Sequence, residues 1–237
     1  MIVVRENTEG EYAGAGGFHK FGQPDGFACQ TGLFTHKGCE RTIRYAFELA
    51  RKRKKLGADG QVGMVTNCTK SNALNYSMVF WDMVYNNVAE NYPDIKTDVA
   101  LVDAITMWFV KNPDSFDVIV ASNLFGDIIT DLGAMIQGGM GFAAGANLNP
   151  EKEFPSMFEP IHGSAPKYAG KAIVNPIATI ESIRMMLEHL DLQEPADDIY
   201  RSISSVLERG QLKTRDMGGT AKTHELGKSI AKTILNG

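Results

Sequence analysis

Asp127 and Asp131 stand four residues apart in Ser122-Asn123-Leu124-Phe125-Gly126-Asp127-Ile128-Ile129-Thr130-Asp131, directly after the apolar stretch 117–121. Residues i and i+4 lie on one face of a helix, and two like charges there repel by a few tenths of a kcal/mol. A hard divalent cation, which takes oxygen ligands, would turn that repulsion into a binding site. Two acids in the first turn of a helix also suit its dipole. By itself, then, this run supports a metal site and a purely structural arrangement equally.

Three further segments carry groups able to do chemistry. In Val4-Arg5-Glu6-Asn7-Thr8-Glu9-Gly10-Glu11-Tyr12, the guanidinium can clamp a carboxylate with two hydrogen bonds and the phenol can deliver a proton. An exposed arginine and a packed tyrosine are the plain alternative. Lys70, in Cys68-Thr69-Lys70-Ser71-Asn72, lies between a strand-like and a helix-like stretch and alone reads as a surface residue at a helix start. Near a metal and other cations, however, a lysine can lose its proton easily enough to act in proton transfer. The loop His162-Gly163-Ser164-Ala165-Pro166-Lys167-Tyr168-Ala169-Gly170-Lys171 combines small residues, which let a ligand approach the backbone, with an imidazole and two cations; it favours an anionic ligand.

Other patterns fail on context. Gly139-Met140-Gly141-Phe142-Ala143-Ala144 has the letters of the dinucleotide fingerprint, but a helix rather than a strand precedes it. Gly227-Lys228-Ser229 lacks the earlier glycine of a phosphate-binding loop, because position 222 is lysine. The basic run 51–55 closes an amphipathic stretch, where cations favour a helix C-terminus. His19, His36, His189 and His224 show no ligand spacing and read as structural.

The elements that must position these groups follow from apolar patterning. Strands are expected over 117–121, 61–66 and 95–102, and helices over 71–90, through 110 and over 127–136. That alternation predicts an α/β fold. Segment 14–37, rich in glycine and aromatics, reads as a hairpin or arm turning at Pro24-Asp25-Gly26. The stretch 133–155, dense in Gly, Ala and Asn, reads as a domain boundary dividing 1–136 from 137–237. The second part carries helical patterns over 177–190, 196–209 and 222–235. Met1-Ile2-Val3-Val4 begins inside a strand pattern, which implies neighbours from a missing N-terminal portion.

With 237 residues, 43% of them hydrophobic, the chain can bury a sizeable core. Its net charge of −4 argues against nucleic acid or an anionic membrane surface as partner. Cys29, Cys39 and Cys68 have neither disulfide nor zinc-finger spacing, which suits a reducing, cytoplasmic compartment. No apolar run has the length of a membrane span.

In this order, Arg5-Glu6-Asn7-Thr8-Glu9-Gly10-Glu11-Tyr12, Thr69-Lys70-Ser71-Asn72, the run 117–131 and Glu159-Pro160-Ile161-His162-Gly163-Ser164-Ala165-Pro166 resemble the metal-dependent, decarboxylating 2-hydroxyacid dehydrogenases: isocitrate, 3-isopropylmalate and tartrate/D-malate dehydrogenases. Thr69-Lys70-Ser71-Asn72, Ala121-Ser122-Asn123-Leu124-Phe125-Gly126-Asp127 and Ala146-Asn147-Leu148-Asn149-Pro150-Glu151 are most like the tartrate/D-malate branch. The resemblance covers essentially the whole chain. It implies that family's two-domain α/β fold, distinct from the Rossmann fold. Residues 1–136 would form the small domain with its dimerisation arm, and 137–237 the C-terminal part of the large nucleotide-binding domain. The family's N-terminal third is unmatched, so an N-terminally incomplete chain is expected.

The resemblance also implies roles. Mg²⁺ or Mn²⁺ would be held by Asp127, Asp131 and, from a second subunit, Asp103. Arg5 would hold a substrate carboxylate, Lys70 of that second subunit would help remove the hydroxyl proton, and Tyr12 would protonate the enol carbon after CO₂ leaves. Asn72 matches the nicotinamide end of the cofactor; His162, Gly163, Ser164, Ala165 and Asn175 match its adenosine end, with Glu159, Lys167, Tyr168 and Asp216 in the same set. The tartrate/D-malate and isopropylmalate enzymes usually carry an acidic and an aliphatic residue where this chain has Lys167-Tyr168. That pair resembles the NADP-using isocitrate dehydrogenases, so NAD and NADP both stay open with a lean to NADP; Arg215 could add a second cation. A homodimer with shared active sites, acting on a malate-type 2-hydroxy acid, is the expectation. A non-catalytic remnant or assembly subunit is the competing class, and isocitrate dehydrogenase the competing activity.

Overall fold

The computed structural model describes residues 1–55 and 62–236, and the chain divides into two compact units, Met1–Leu132 and Gly133–Gly237. The division falls inside a helix, Asn123–Ile136, ahead of the Gly-rich stretch.

The first unit is built on a parallel sheet. Strands β1 (Ile2–Arg5), β4 (Met64–Thr69), β5 (Lys96–Leu101) and β6 (Val118–Ala121) pair in the order β1-β6-β4-β5. The register sets Arg5 beside Ala121 and Thr69 beside Leu101. Every residue of β6 is fully buried, as expected of a β-branched apolar run in a parallel sheet covered on its faces. The strand expected from Gln61 opens at Met64, and Gln61 itself lies outside the described residues.

Helix α1 (His36–Arg53) packs on β1, β4 and β6, and helix α2 (Ser77–Ala89) packs on α1 and β4. The buried side of α1 is Cys39, Ile43, Ala46, Phe47 and Ala50, a helical apolar stripe. Thr35 caps the helix by accepting from the Gly38 N–H at 3.0 Å. Phe47 stacks on Tyr92, ring centres 4.9 Å apart. Trp81 and Tyr85 tie α2 to the sheet, the indole donating to Asn67 Oδ1 at 2.7 Å and the phenol to the Val65 carbonyl at 2.8 Å. The basic run is structural: Arg51 bonds Asp94, Arg53 bonds the buried Asp117, and Lys55 donates to the Asp114 and Phe116 carbonyls.

Two expected boundaries shift. The helix expected from residue 71 starts at Ser77, because 71–76 form turns in which the Lys70 carbonyl accepts from the Ala73 and Leu74 N–H groups, both at 2.9 Å. Ser71, Asn72 and Asn75 belong to the residue types whose side chains favour turns over helix interiors. Helix α4 (Asn123–Ile136), conversely, starts four residues before Asp127. Between β5 and β6 lies α3 (Val102–Lys111), packed on β4 and β5.

The arm is an antiparallel ribbon of β2 (Gly10–His19) and β3 (Phe27–Leu33), with a bulge between Gly10 and Ala15. Its tip is closed by main-chain bonds from Gln23 N–H to Lys20 and from Gly26 N–H to Gln23, and by a Lys20–Asp25 ion pair. All of β3 is exposed, with Phe18, Phe21 and Phe27 presented to solvent.

In the second unit, β7 (Ala144–Asn147) pairs antiparallel with β8 (Met157–Pro160). Helix α5 (Ile177–His189) packs on this ribbon and on α6 (Gln193–Arg209), which packs on α7 (Thr223–Leu235). Ile177, Ile203, Val206, Leu226 and Ile230 form its core, flanked by Phe142, Ile180 and Leu212. The Gly139-Met140-Gly141 stretch follows α4 and leads into a strand, and Gly227-Lys228-Ser229 lies within α7, so neither has a phosphate-binding context.

Candidate active site

Apart from Tyr12, which lies on the arm strand β2, the candidate residues of the first unit lie at or after the carboxyl ends of the parallel strands, where α/β sheets place their ligands. Arg5 ends β1, Lys70 follows β4, Asp103 lies in the first turn of α3 after β5, and Asp127 and Asp131 lie on α4 after β6.

Three of these side chains meet directly. Arg5 Nη1 donates to Asp127 Oδ1 at 2.6 Å, and the Tyr12 hydroxyl donates to Asp127 Oδ2 at 3.1 Å. The Arg5 guanidinium lies 5.8 Å from the centre of the Tyr12 ring. Withdrawal from water and then the Asp127 hydrogen bond and charge push the Tyr12 phenol above its ordinary value, and Arg5 opposes them in part. Asp131 is exposed one helical turn beyond Asp127. No acidic residue lies in the first turn of α4. The helix-dipole explanation of the two acids therefore loses its basis, since that effect fades within one turn.

A second pair stands on the neighbouring strands. Lys70 Nζ donates to Asp103 Oδ1 at 2.7 Å, and this bond to a cation holds the Asp103 carboxyl below the usual range. Asn72 is exposed in the turn after Lys70. Among the described residues no three His, Cys, Asp or Glu side chains gather as a ready metal cage; the carboxylates come as Asp127 with Asp131 on one element and Asp103 on another.

Sequence reasoning missed the residues that hold Arg5. Asn123, 3% exposed, accepts from Arg5 Nε at 3.1 Å and Nη2 at 2.7 Å, and its amide donates to the Glu9 carbonyl at 2.8 Å. Buried Glu6 accepts from the Thr8 and Glu9 N–H groups and from Arg41, pinning the loop after Arg5. Asn123 could have been flagged by its place at the head of the acidic run, but its partner is 118 residues away.

In the second unit, β8 carries exposed Glu159 and leads into the loop of His162, Gly163, Ser164 and Ala165. His162 Nδ1 lies 2.9 Å from the Gly163 carbonyl, and Ala165 takes a left-handed conformation, φ 44°, before a short 3₁₀ turn over Pro166–Tyr168. Lys167 Nζ sits 5.0 Å from the Tyr168 ring centre. Asn175, 5% exposed, donates to Asp216 Oδ2 at 3.0 Å and accepts from the Ile177 N–H at 3.0 Å. Thr214 fixes the other Asp216 oxygen at 2.5 Å. A Cβ on Gly141 would lie 2.6 Å from Asp216 Oδ2 and 2.8 Å from Asn175 Cβ, so that glycine serves packing. Asn175 with Asp216, and Lys167 with Tyr168, are thus brought together in pairs.

The isocitrate/isopropylmalate dehydrogenase family model matches residues 1–230. The chain belongs to this family. It is 47% identical over 240 residues to the decarboxylating D-malate dehydrogenase of Escherichia coli, 44% over 234 residues to a 3-isopropylmalate dehydrogenase of Thermobifida fusca, and 44% over 240 residues to a tartrate dehydrogenase/decarboxylase of Pseudomonas putida. Each comparison covers 99% of this chain but only 63–64% of the relative. Among solved structures, the isocitrate dehydrogenase of Methylococcus capsulatus superposes with a TM-score of 0.87 at 39% identity, covering 98% of this chain and 66% of that one. The α/β fold is therefore that of the isocitrate/isopropylmalate dehydrogenase family. Among the described residues no helix is long and apolar enough to cross a membrane.

Proposed function

We propose that this chain supplies the catalytic residues and much of the cofactor site of an enzyme that oxidatively decarboxylates a malate-type 2-hydroxy acid of the tartrate, D-malate or 3-isopropylmalate kind. The observation that carries this reading is Asp127 in contact with Arg5 and Tyr12, with a free acid one turn further on. A cation clamp, a phenol and two carboxylates are what a metal-chelated hydroxy acid requires.

The donor set fits a divalent cation. Asp127 and Asp131 offer oxygen ligands on one helix face, with the Asp127 side chain 48% exposed, and oxygen is what Mg²⁺ and Mn²⁺ prefer. With only two acids there, a third comes from Asp103 of a second copy, whose Lys70 is hydrogen-bonded to it and arrives with it. This makes a homodimer with shared active sites the assembly we propose. When bound, the cation would acidify the substrate hydroxyl and stabilise charge on its oxygen as CO₂ leaves, while the nicotinamide would accept hydride.

The chain's own residues do the rest. Arg5 binds a substrate carboxylate through charge-assisted hydrogen bonds. Lys70, once neutral, helps remove the hydroxyl proton, and Asp103 keeps that lysine oriented. Tyr12 returns a proton to the carbon that lost CO₂, a transfer of the sort that contributes about 10²–10⁴ in rate. Asn72 lies toward the nicotinamide, while His162 to Ala165, Glu159, Asn175 and Asp216 hold the adenosine end. Lys167 and Tyr168 offer a cation and a phenol on one turn, a pair suited to a 2′-phosphate, which favours NADP⁺ over NAD⁺.

Reduction of NADP⁺ and NAD⁺ with D-malate, tartrate, 3-isopropylmalate and isocitrate in the presence of Mn²⁺ tests this reading. Turnover of one of the first three, faster with NADP⁺, is expected. Inactivity with all four would sink it.

A further inference from the structure

We propose that Asn123 is a positioning residue that aims the Arg5 guanidinium at the substrate carboxylate and links that aim to the segment bearing Tyr12; the inference rests on the function proposed above. A guanidinium carries five N–H donors. In Arg5, Nε–H and one Nη2–H are taken by Asn123 Oδ1, and one Nη1–H by Asp127. Among the described residues the other two donors, one on each terminal nitrogen, have no hydrogen-bond partner and are left for a ligand. Asn123 therefore fixes the plane of a long, otherwise mobile side chain, and ordering it before binding lowers the cost of capturing a carboxylate.

The amide is itself held without ambiguity. Its nitrogen must donate to the Glu9 carbonyl, so its oxygen must face Arg5. Glu9 lies on the connection from Arg5 to Tyr12, and the next residue, Gly10, takes φ +75° where an added Cβ would come within 3.2 Å of Asn123 Cβ. One buried amide thus touches both the residue that grips the substrate and the strand entry that carries the proton donor. A polar side chain chosen only for a helix start would need neither bond.

The test compares the unaltered protein with Asn123→Ala and Asn123→Asp, the second keeping an acceptor for Arg5 while losing the donor to Glu9. Two measurements are made: hydrogen exchange of the Arg5 Nε–H by nitrogen-15 NMR, and D-malate binding with Mn²⁺ by calorimetry. In Asn123→Ala the Nε–H should exchange, and D-malate should dissociate, about tenfold or more faster and weaker respectively, the scale of one lost hydrogen bond to a charged group. Mn²⁺ alone should bind within about twofold of normal, as expected where no ligand to the ion is lost. Asn123→Asp should restore Nε–H protection. In an Arg5→Lys background the Asn123→Ala effect on D-malate should vanish, as for residues acting through one another. Unchanged Nε–H exchange in Asn123→Ala, or a full effect in the Arg5→Lys background, would overturn the assignment. An unaltered protein that protects the Nε–H but ignores D-malate would instead count against the proposed substrate class alone.

Discussion

Asp127 is the residue on which most of the site converges, because one carboxylate serves Arg5, Tyr12 and the proposed cation. Asp127→Asn keeps the shape and removes the charge. Mn²⁺ affinity should drop about a hundredfold or more, beyond the 10–100-fold typical of losing an outer-shell partner, while circular dichroism stays unchanged; calorimetry measures the first. Asp103 makes a pH prediction. Its carboxyl is held down by Lys70, as Asp94's is by Arg51. An unfolded aspartate titrates at about 3.9. A folded value below that means the stabilisation is complete above about pH 4 and is lost as pH falls through the lower folded values. Both pairs are exposed, so the effect is small and weakened by salt. Asp103→Asn should flatten the acid limb of melting temperature against pH. At this scale the shared helix face of Asp127 and Asp131 was legible from their i, i+4 spacing, while Lys70 and Tyr12 became candidates only through the motifs around them. Asn123 was not legible, because its role exists only once β1 and β6 lie side by side.

The misread start of α4 has a physical cause. Gly126 lies in its first turns, and glycine in a helix interior costs about 1 kcal/mol relative to alanine, so local preference argued for a loop. The helix keeps it because the Arg5 stem crosses there: an added Cβ would sit 2.5, 2.8 and 3.0 Å from Arg5 Cγ, Cβ and Cδ. Gly126→Ala sets a propensity gain of about 1 kcal/mol against an overpacking cost of about 1–3 kcal/mol. The clash involves atoms near the Arg5 backbone, which cannot swing aside, so the cost should win. Urea denaturation should show net destabilisation of up to about 2 kcal/mol by that difference, and displacement of Arg5 should weaken hydroxy-acid binding as well. The late start of α2 has the opposite origin, since turn-favouring side chains over 71–76 overrode the apolar periodicity that follows.

Each compact unit has its own apolar centre. Leu226 in the second is fully buried, and Leu226→Ala should cost about 2–5 kcal/mol, with amide exchange rising in α6 and α7. The helices of that unit were legible to within three residues, the largest miss being the start of α6 at Gln193, because periods of 3.6 are local information. Strand order was not, since nothing in a strand's own letters says which strand it joins. That order has a consequence in time. Among the described residues β1 pairs with β6 alone in its sheet, and contacts between residues far apart in sequence form slowly. During synthesis β1 emerges well before β6, and the two can pair only once that neighbour, more than a hundred residues later, has been made. Arg5 can meet Asn123 only once β6 is in place, so the proposed grip on a carboxylate depends on a strand from the middle of the sequence, and a growing chain that stalls before β6 carries no trace of it.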